Sequence, residues 1–150
     1  MPELIPVITE DEIQRRISTV AKAISADYQG RELVLIGVLK GAFFFLADLA
    51  RQLTIDKIKI DFLQASSYGA DTSSSENIVL KKDIDIDIRG KEVIVVEDIV
   101  DTGLTLTYLI DHLQEFGPKC VKVCTLIDKK ERRQAKVKVD YVCMTVEKVR

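Results

Sequence analysis

Apolar runs and helically spaced stretches alternate along this chain. Val93-Ile94-Val95-Val96 and Leu33-Val34-Leu35-Ile36-Gly37-Val38 contain no polar positions, the pattern of strands buried on both faces of a parallel sheet. Lys57 to Leu63 instead sets Ile58, Ile60 and Phe62 against Lys59 and Asp61, which predicts a half-exposed strand. Ile78 to Lys82, Val121 to Ile127 and Tyr141 to Val146 read as further strands, the last one short. Asp83 to Ile88 alternates Asp and Ile throughout, an acidic-faced edge segment.

Three helices separate these runs. Thr9-Glu10-Asp11-Glu12 fits a capping box, and Ile13, Ile17, Val20, Ala21 and Ile24 follow at helical spacing to an end near Tyr28-Gln29-Gly30. Ala42 to Leu53 is a second helix, with Phe44, Phe45, Leu46 and Leu49 as its packed side. Thr105 to Phe116 is the third, stopped by Gly117-Pro118. Ser66 to Asn77 is polar, Ser-rich and contains Gly69, so it reads as a long loop, either disordered or a working lid. Strands alternating with helices predict an α/β fold, a doubly wound, mainly parallel sheet with helices on both faces. Residues 1–150 are read as a single domain, since no repeat or linker interrupts them.

Composition narrows the classes. Net charge is −2 and the pI about 5.5, so no global basic field invites nucleic acid. The start, Met1-Pro2-Glu3-Leu4-Ile5, has no basic n-region, and the longest apolar stretch, Leu33 to Leu39, is far short of the ~20 residues of a membrane span. A cytoplasmic protein with no membrane contact is expected. Cys120, Cys124 and Cys143 read as buried or incidental thiols, and the single histidine, His112, has no second ligand nearby for zinc or a nucleophilic triad.

The chemistry gathers in Val93 to Thr105. The buried strand runs into Glu97 and Asp98, and Asp101-Thr102-Gly103-Leu104-Thr105 then turns into the third helix. The helix start offers unpaired N–H groups to a phosphate, and Gly103 permits close approach and positive φ. The hydroxyls of Thr102 and Thr105 add donors, while Glu97 and Asp98 suit ribose hydroxyls or a hard cation such as Mg²⁺. A bare Asp-x-Gly-x-Thr is as compatible with solvated acids before an ordinary capped helix. In an open α/β sheet, ligands bind beyond the carboxyl ends of the strands, where Leu39-Lys40-Gly41, Glu97 to Thr105 and Asp128-Lys129 all fall.

The thirteen-residue string resembles the phosphoribosyl-diphosphate (PRPP) motif of type I phosphoribosyltransferases, and in particular of the hypoxanthine-guanine branch. Gly37-Val38-Leu39-Lys40-Gly41, Ser66-Ser67-Tyr68-Gly69 and Asp128-Lys129 with Arg132-Arg133 are similar to that branch's other landmarks, in order. The resemblance implies transfer of a phosphoribosyl group from PRPP to a 6-oxopurine base, releasing pyrophosphate, with Mg²⁺ as cofactor. It implies Asp101 as catalytic base near purine N7, or as charge partner for the imidazole ring. Asp101 to Thr105 would form the 5′-phosphate loop, and Glu97 and Asp98 would bind ribose directly or through Mg²⁺. Leu39, Lys40 and Gly41 would form the pyrophosphate loop, with a cis Leu39–Lys40 peptide. Ser67 and Tyr68 would belong to the closing lid, Lys129 would read the purine 6-oxygen, and Arg133 would lie near the pyrophosphate. An ammonium only donates, so Lys129 favours a 6-oxo over a 6-amino base.

Without the resemblance, Lys40 and the run Lys129 to Arg133 read as solvated surface. After Asp140-Tyr141-Val142 relatives carry a base-stacking aromatic, a metal-binding aspartate and a late arginine that Cys143 to Arg150 lacks, so a reduced C-terminal hood is expected. That keeps two alternatives open, a PRPP-binding remnant of low activity and a regulatory RNA-binding protein on the same fold. A homodimer or homotetramer is also expected.

Overall fold

The computed structural model describes residues 8–67 and 77–146. Its elements run α1 (Glu10–Asp27), β1 (Glu32–Val38), α2 (Phe43–Gln52), β2 (Lys57–Ser67), β3 (Ile78–Lys82), β4 (Glu92–Val100), α3 (Leu104–Gln114), β5 (Cys120–Asp128) and β6 (Tyr141–Thr145). Thr9 caps α1, its hydroxyl accepting from the Glu12 N–H at 3.1 Å.

The strands form a six-stranded sheet in the order β3-β2-β1-β4-β5-β6, antiparallel only between β2 and β3. β1 and β4 lie side by side in the middle, Val34 opposite Val93 and Gly37 opposite Val96. Leu33 to Ile36 and Val93 to Val96 are all fully buried, because successive side chains enter opposite cores. Leu33, Leu35, Ile94 and Val96 pack with α1 and α2, while Val34, Ile36, Val93 and Val95 pack with α3. Gly37 makes the α2 approach possible, since a Cβ there would lie 2.7 Å from Leu46 Cδ2.

Four features depart from the expected pattern. Phe44 is 78% exposed although its neighbours Phe45, Leu46 and Leu49 are buried. Consecutive helix positions lie about 100° apart, which turns Phe44 off the stripe made by the other three. Along β2 the roles of Ile60 and Asp61 invert, with Ile60 exposed and Asp61 buried. The segment after β3 crosses Asp61, whose carboxylate accepts from the N–H groups of Asp85 at 2.6 Å and Ile86 at 3.1 Å. Asp83 to Ile88 is accordingly no strand, and its Ile84 and Ile88 are buried against α3's core. Ser66 and Ser67 extend β2, opposite Val79 and Ile78, rather than opening the loop.

Candidate active site

β4 is longer than its apolar run. It continues to Val100, so Glu97 and Asp98 stand within the strand, near its carboxyl end. Glu97 pairs with Thr125 of β5, and regular pairing is skipped at Asp98. The Thr125 hydroxyl, fully buried, lies 3.1 Å from the carbonyl oxygens of both Asp98 and Ile127 and can donate to either. Sequence motifs do not point to Thr125, although it is the lone hydroxyl inside Val121 to Ile127.

Neither carboxyl group is paired with a protein cation among the described residues. Burial pushes Glu97 up to about 7, opposed by the Asp98 N–H donating to Glu97 Oε1 at 3.0 Å and reinforced by the Asp98 charge. Burial also raises Asp98. Hard oxygen donors with uncompensated charge fit Mg²⁺, which takes only one or two protein carboxylates beside substrate oxygens and water. No group of three or more His, Cys, Asp or Glu residues placed to hold a metal occurs among the described residues.

Past β4 the chain makes the turn that starts α3. Gly103 sits at the helix N-cap with φ +86°, a conformation that side chains other than glycine rarely adopt. Thr107 N–H and hydroxyl both donate to Gly103 O, at 2.9 and 2.8 Å, which closes the first turn. The Thr102 hydroxyl accepts from Leu104 N–H at a long 3.4 Å. Across the cleft, the Leu39–Lys40 peptide is cis, and Leu39 N–H is spent on Leu63 O at 2.8 Å. The N–H groups of Lys40 and Gly41 have no backbone partner among the described residues, leaving them for an anion. Gly41 lies against Asp98, and a Cβ there would be 3.6 Å from Asp98 Cβ. One cleft is lined by Leu39, Gly41, Glu97, Asp101, Thr102, Gly103 and Thr105, so two chain segments about sixty residues apart face each other.

Asp101 is half exposed at the mouth of the turn, and Arg132 Nε donates to its Oδ1 at 2.8 Å. Lys129 follows β5 directly, its N–H on Val100 O at 2.9 Å, which sets it beside the end of β4. Ser67 ends β2 two residues beyond Ala65, which lines the cleft, whereas Tyr68 lies outside the described residues. Arg133 is drawn towards the end of β5. Its guanidinium donates to the Asp128 carboxylate, to Asp101 O at 3.1 Å and to Val137 O at 3.4 Å. The reason is electrostatic, because Asp128 is 1% exposed and draws the nearest strong fork donor inward.

Known proteins resemble this chain in sequence and in fold. The model of the phosphoribosyl transferase domain matches residues 9–150. A hypoxanthine-guanine phosphoribosyltransferase of Aquifex aeolicus is 46% identical over 138 residues, 91% of this chain and 76% of that protein. A hypoxanthine phosphoribosyltransferase of Escherichia coli is 40% identical over 142 residues, 93% of this chain and 79% of that protein. The crystal structure of a Bacillus anthracis hypoxanthine-guanine phosphoribosyltransferase superimposes with a TM-score of 0.90 at 44% identity, covering 97% of this chain and 86% of that one.

Proposed function

The chain belongs to the phosphoribosyltransferase family, and on that premise we propose how its residues carry the family's reaction. The protein is an enzyme of purine salvage that transfers the phosphoribosyl group of PRPP to hypoxanthine or guanine, forming IMP or GMP and pyrophosphate. The bond from C1′ to the pyrophosphate oxygen breaks, the bond from C1′ to purine N9 forms, and the imidazole ring loses a proton. The observation that carries the residue assignment is the cleft joining the Gly41 loop, Glu97 and the Gly103 turn.

In this reading the 5′-phosphate is held by the N–H groups of the α3 start and the hydroxyls of Thr102 and Thr105, around Gly103 and Leu104. Gly41 and the Leu39–Lys40 peptide hold the pyrophosphate across the cleft. Glu97 and Asp98 bind the ribose hydroxyls and Mg²⁺, whose charge would offset that of the departing pyrophosphate. Positive charge develops on the sugar as its bond breaks, and the same carboxylates stabilise it. Asp101 accepts the proton from the imidazole ring, its Oδ2 carrying no hydrogen bond from the described residues while Oδ1 takes one from Arg132. Lys129 donates to the 6-oxygen.

A coupled assay with hypoxanthine, guanine and PRPP tests the function, with IMP and GMP formation expected and adenine left unused. A homodimer or homotetramer belongs to the same reading. It is supported by Phe43 and Phe44, 54% and 78% exposed in one edge-to-face pair at the start of α2. Sedimentation velocity tests it. A cytoplasmic location is proposed with it, and no helix among the described residues is long and apolar enough to cross a membrane.

A further inference from the structure

The phosphate turn is gripped from outside by the segment that follows β5. Arg132 Nε reaches Asp101 Oδ1 at 2.8 Å, and Arg133 Nε reaches Asp101 O at 3.1 Å. The N–H groups of Gln134 and Ala135 both donate to Thr102 O, at 2.8 and 3.1 Å. Gly103 is packed so closely that a Cβ there would lie 2.9 Å from both Arg133 Cδ and Val137 Cγ1. Asp101, Thr102 and Gly103 therefore each rest on this segment.

Arg133 is the centre of that grip. Its side chain is 18% exposed and pairs with Asp128, whose side chain is 2% exposed, at the end of β5 opposite Val100. Asp128 thus belongs to the rigid sheet while the turn belongs to the loop beyond it. The guanidinium is planar, so fixing one edge on a buried carboxylate fixes the direction in which Nε points. Nε points at the backbone of the turn, and the remaining donors serve Asp128 and Val137.

We propose that Arg133, anchored by Asp128, is a positioning residue that sets the 5′-phosphate turn on the sheet and makes no contact with pyrophosphate. The inference rests on reading Asp101 to Thr105 as the 5′-phosphate site. N–H groups stabilise a phosphate only when held in place beforehand, and a displacement of about 1 Å costs up to roughly a hundredfold.

The test is calorimetric, on the full chain, with GMP, guanosine and pyrophosphate as separate probes. In Arg133→Met the preference for GMP over guanosine should fall roughly ten- to a hundredfold, while guanosine and pyrophosphate bind as before. Arg133→Lys should restore only part, because an ammonium lacks the fork. Should Arg133→Met fail to fold, Asp128→Asn combined with Arg133→Gln removes both charges and leaves none unpaired in the interior. The same loss of preference is expected there. A selective loss of pyrophosphate affinity with the GMP preference intact overturns the proposal in favour of direct contact. Equal losses for GMP and guanosine overturn it in favour of general support of the fold. A wild-type chain that binds GMP no better than guanosine overturns the reading of the turn itself, and the role of Arg133 with it.

Discussion

Arg132 donates through Nε to Asp101 Oδ1 at 2.8 Å, so the carboxylate proposed to take the purine proton is tethered at one oxygen. Both side chains are largely exposed, at 64% and 45%, and such pairs contribute only about 0–1 kcal/mol. The tether orients Asp101 and yields readily to a substrate.

Asp101→Asn should therefore lower kcat by about 10²–10⁴-fold, the range of a positioned general base, with PRPP affinity changed little. Arg132→Met should lower it by less than about tenfold, in line with the small worth of an exposed pair. Steady-state kinetics beside calorimetry separates the two. A parallel fall of rate and PRPP affinity in Asp101→Asn would make Asp101 a binding residue only.

Glu97 makes stability depend on pH in an unusual direction. Its folded value, raised by burial to about 7, exceeds the ordinary 4.5, so between those values the folded protein holds more protons than the unfolded chain. The contribution is present in full below pH 4.5 and is lost as pH rises through about 7. In EDTA, wild type should lose Tm relative to Glu97→Gln across that window. Added Mg²⁺ should raise the wild-type Tm more at pH 8 than at pH 6, because only the carboxylate binds it. Thermal scans of both proteins at matched pH check both statements, and identical pH profiles would exclude Glu97 as the titrating group.

Gly103→Ala should damage both fold and site. The φ of +86° disfavours any Cβ, and the added carbon would meet Arg133 and Val137 at 2.9 Å. Strain of this kind costs about 1–3 kcal/mol, so urea unfolding should show a loss of that size. GMP binding should weaken by at least about tenfold through the displaced turn. Undiminished stability would mean that the turn has another accessible conformation.

Lys129→Met removes the proposed donor to the 6-oxygen. The KM for guanine and hypoxanthine should rise, by roughly tenfold or more, while the KM for PRPP stays nearly constant. Discrimination against adenine should shrink in the same variant, which competition between guanine and adenine would read directly.

These variants act on elements that differ in how far sequence reveals them. β1 and the apolar half of β4 are legible because burial on both faces leaves no polar position in six and four consecutive residues, Leu33 to Val38 and Val93 to Val96. The capping of α1 by Thr9 and the positive φ of Gly103 are legible because each is a local demand on one residue type. Asp61 shows where this stops. Alternation sets it on the solvent face, yet it is buried beneath the segment from Asp83 to Ile88, which follows the neighbouring strand β3 and donates its N–H groups from more than twenty residues further along. No window around Asp61 contains that partner.

The site divides in the same way. The chemistry proposed for Glu97, Asp98 and the Asp101 to Thr105 turn follows from residue type and order, since carboxylates at a strand end and N–H groups at a helix start are local features. Which segment faces the turn, and which holds it, depends on side chains brought together across the sheet. Gly41 meets Asp98, Thr125 reaches Asp98 O, and Arg133 pairs with Asp128. Sequence alone determined the periods, the caps and the reactive groups, because those are local properties of the chain. Tertiary structure decided the partner of each buried charge, because a carboxylate removed from water takes the nearest donors the fold supplies, however far away they lie in sequence.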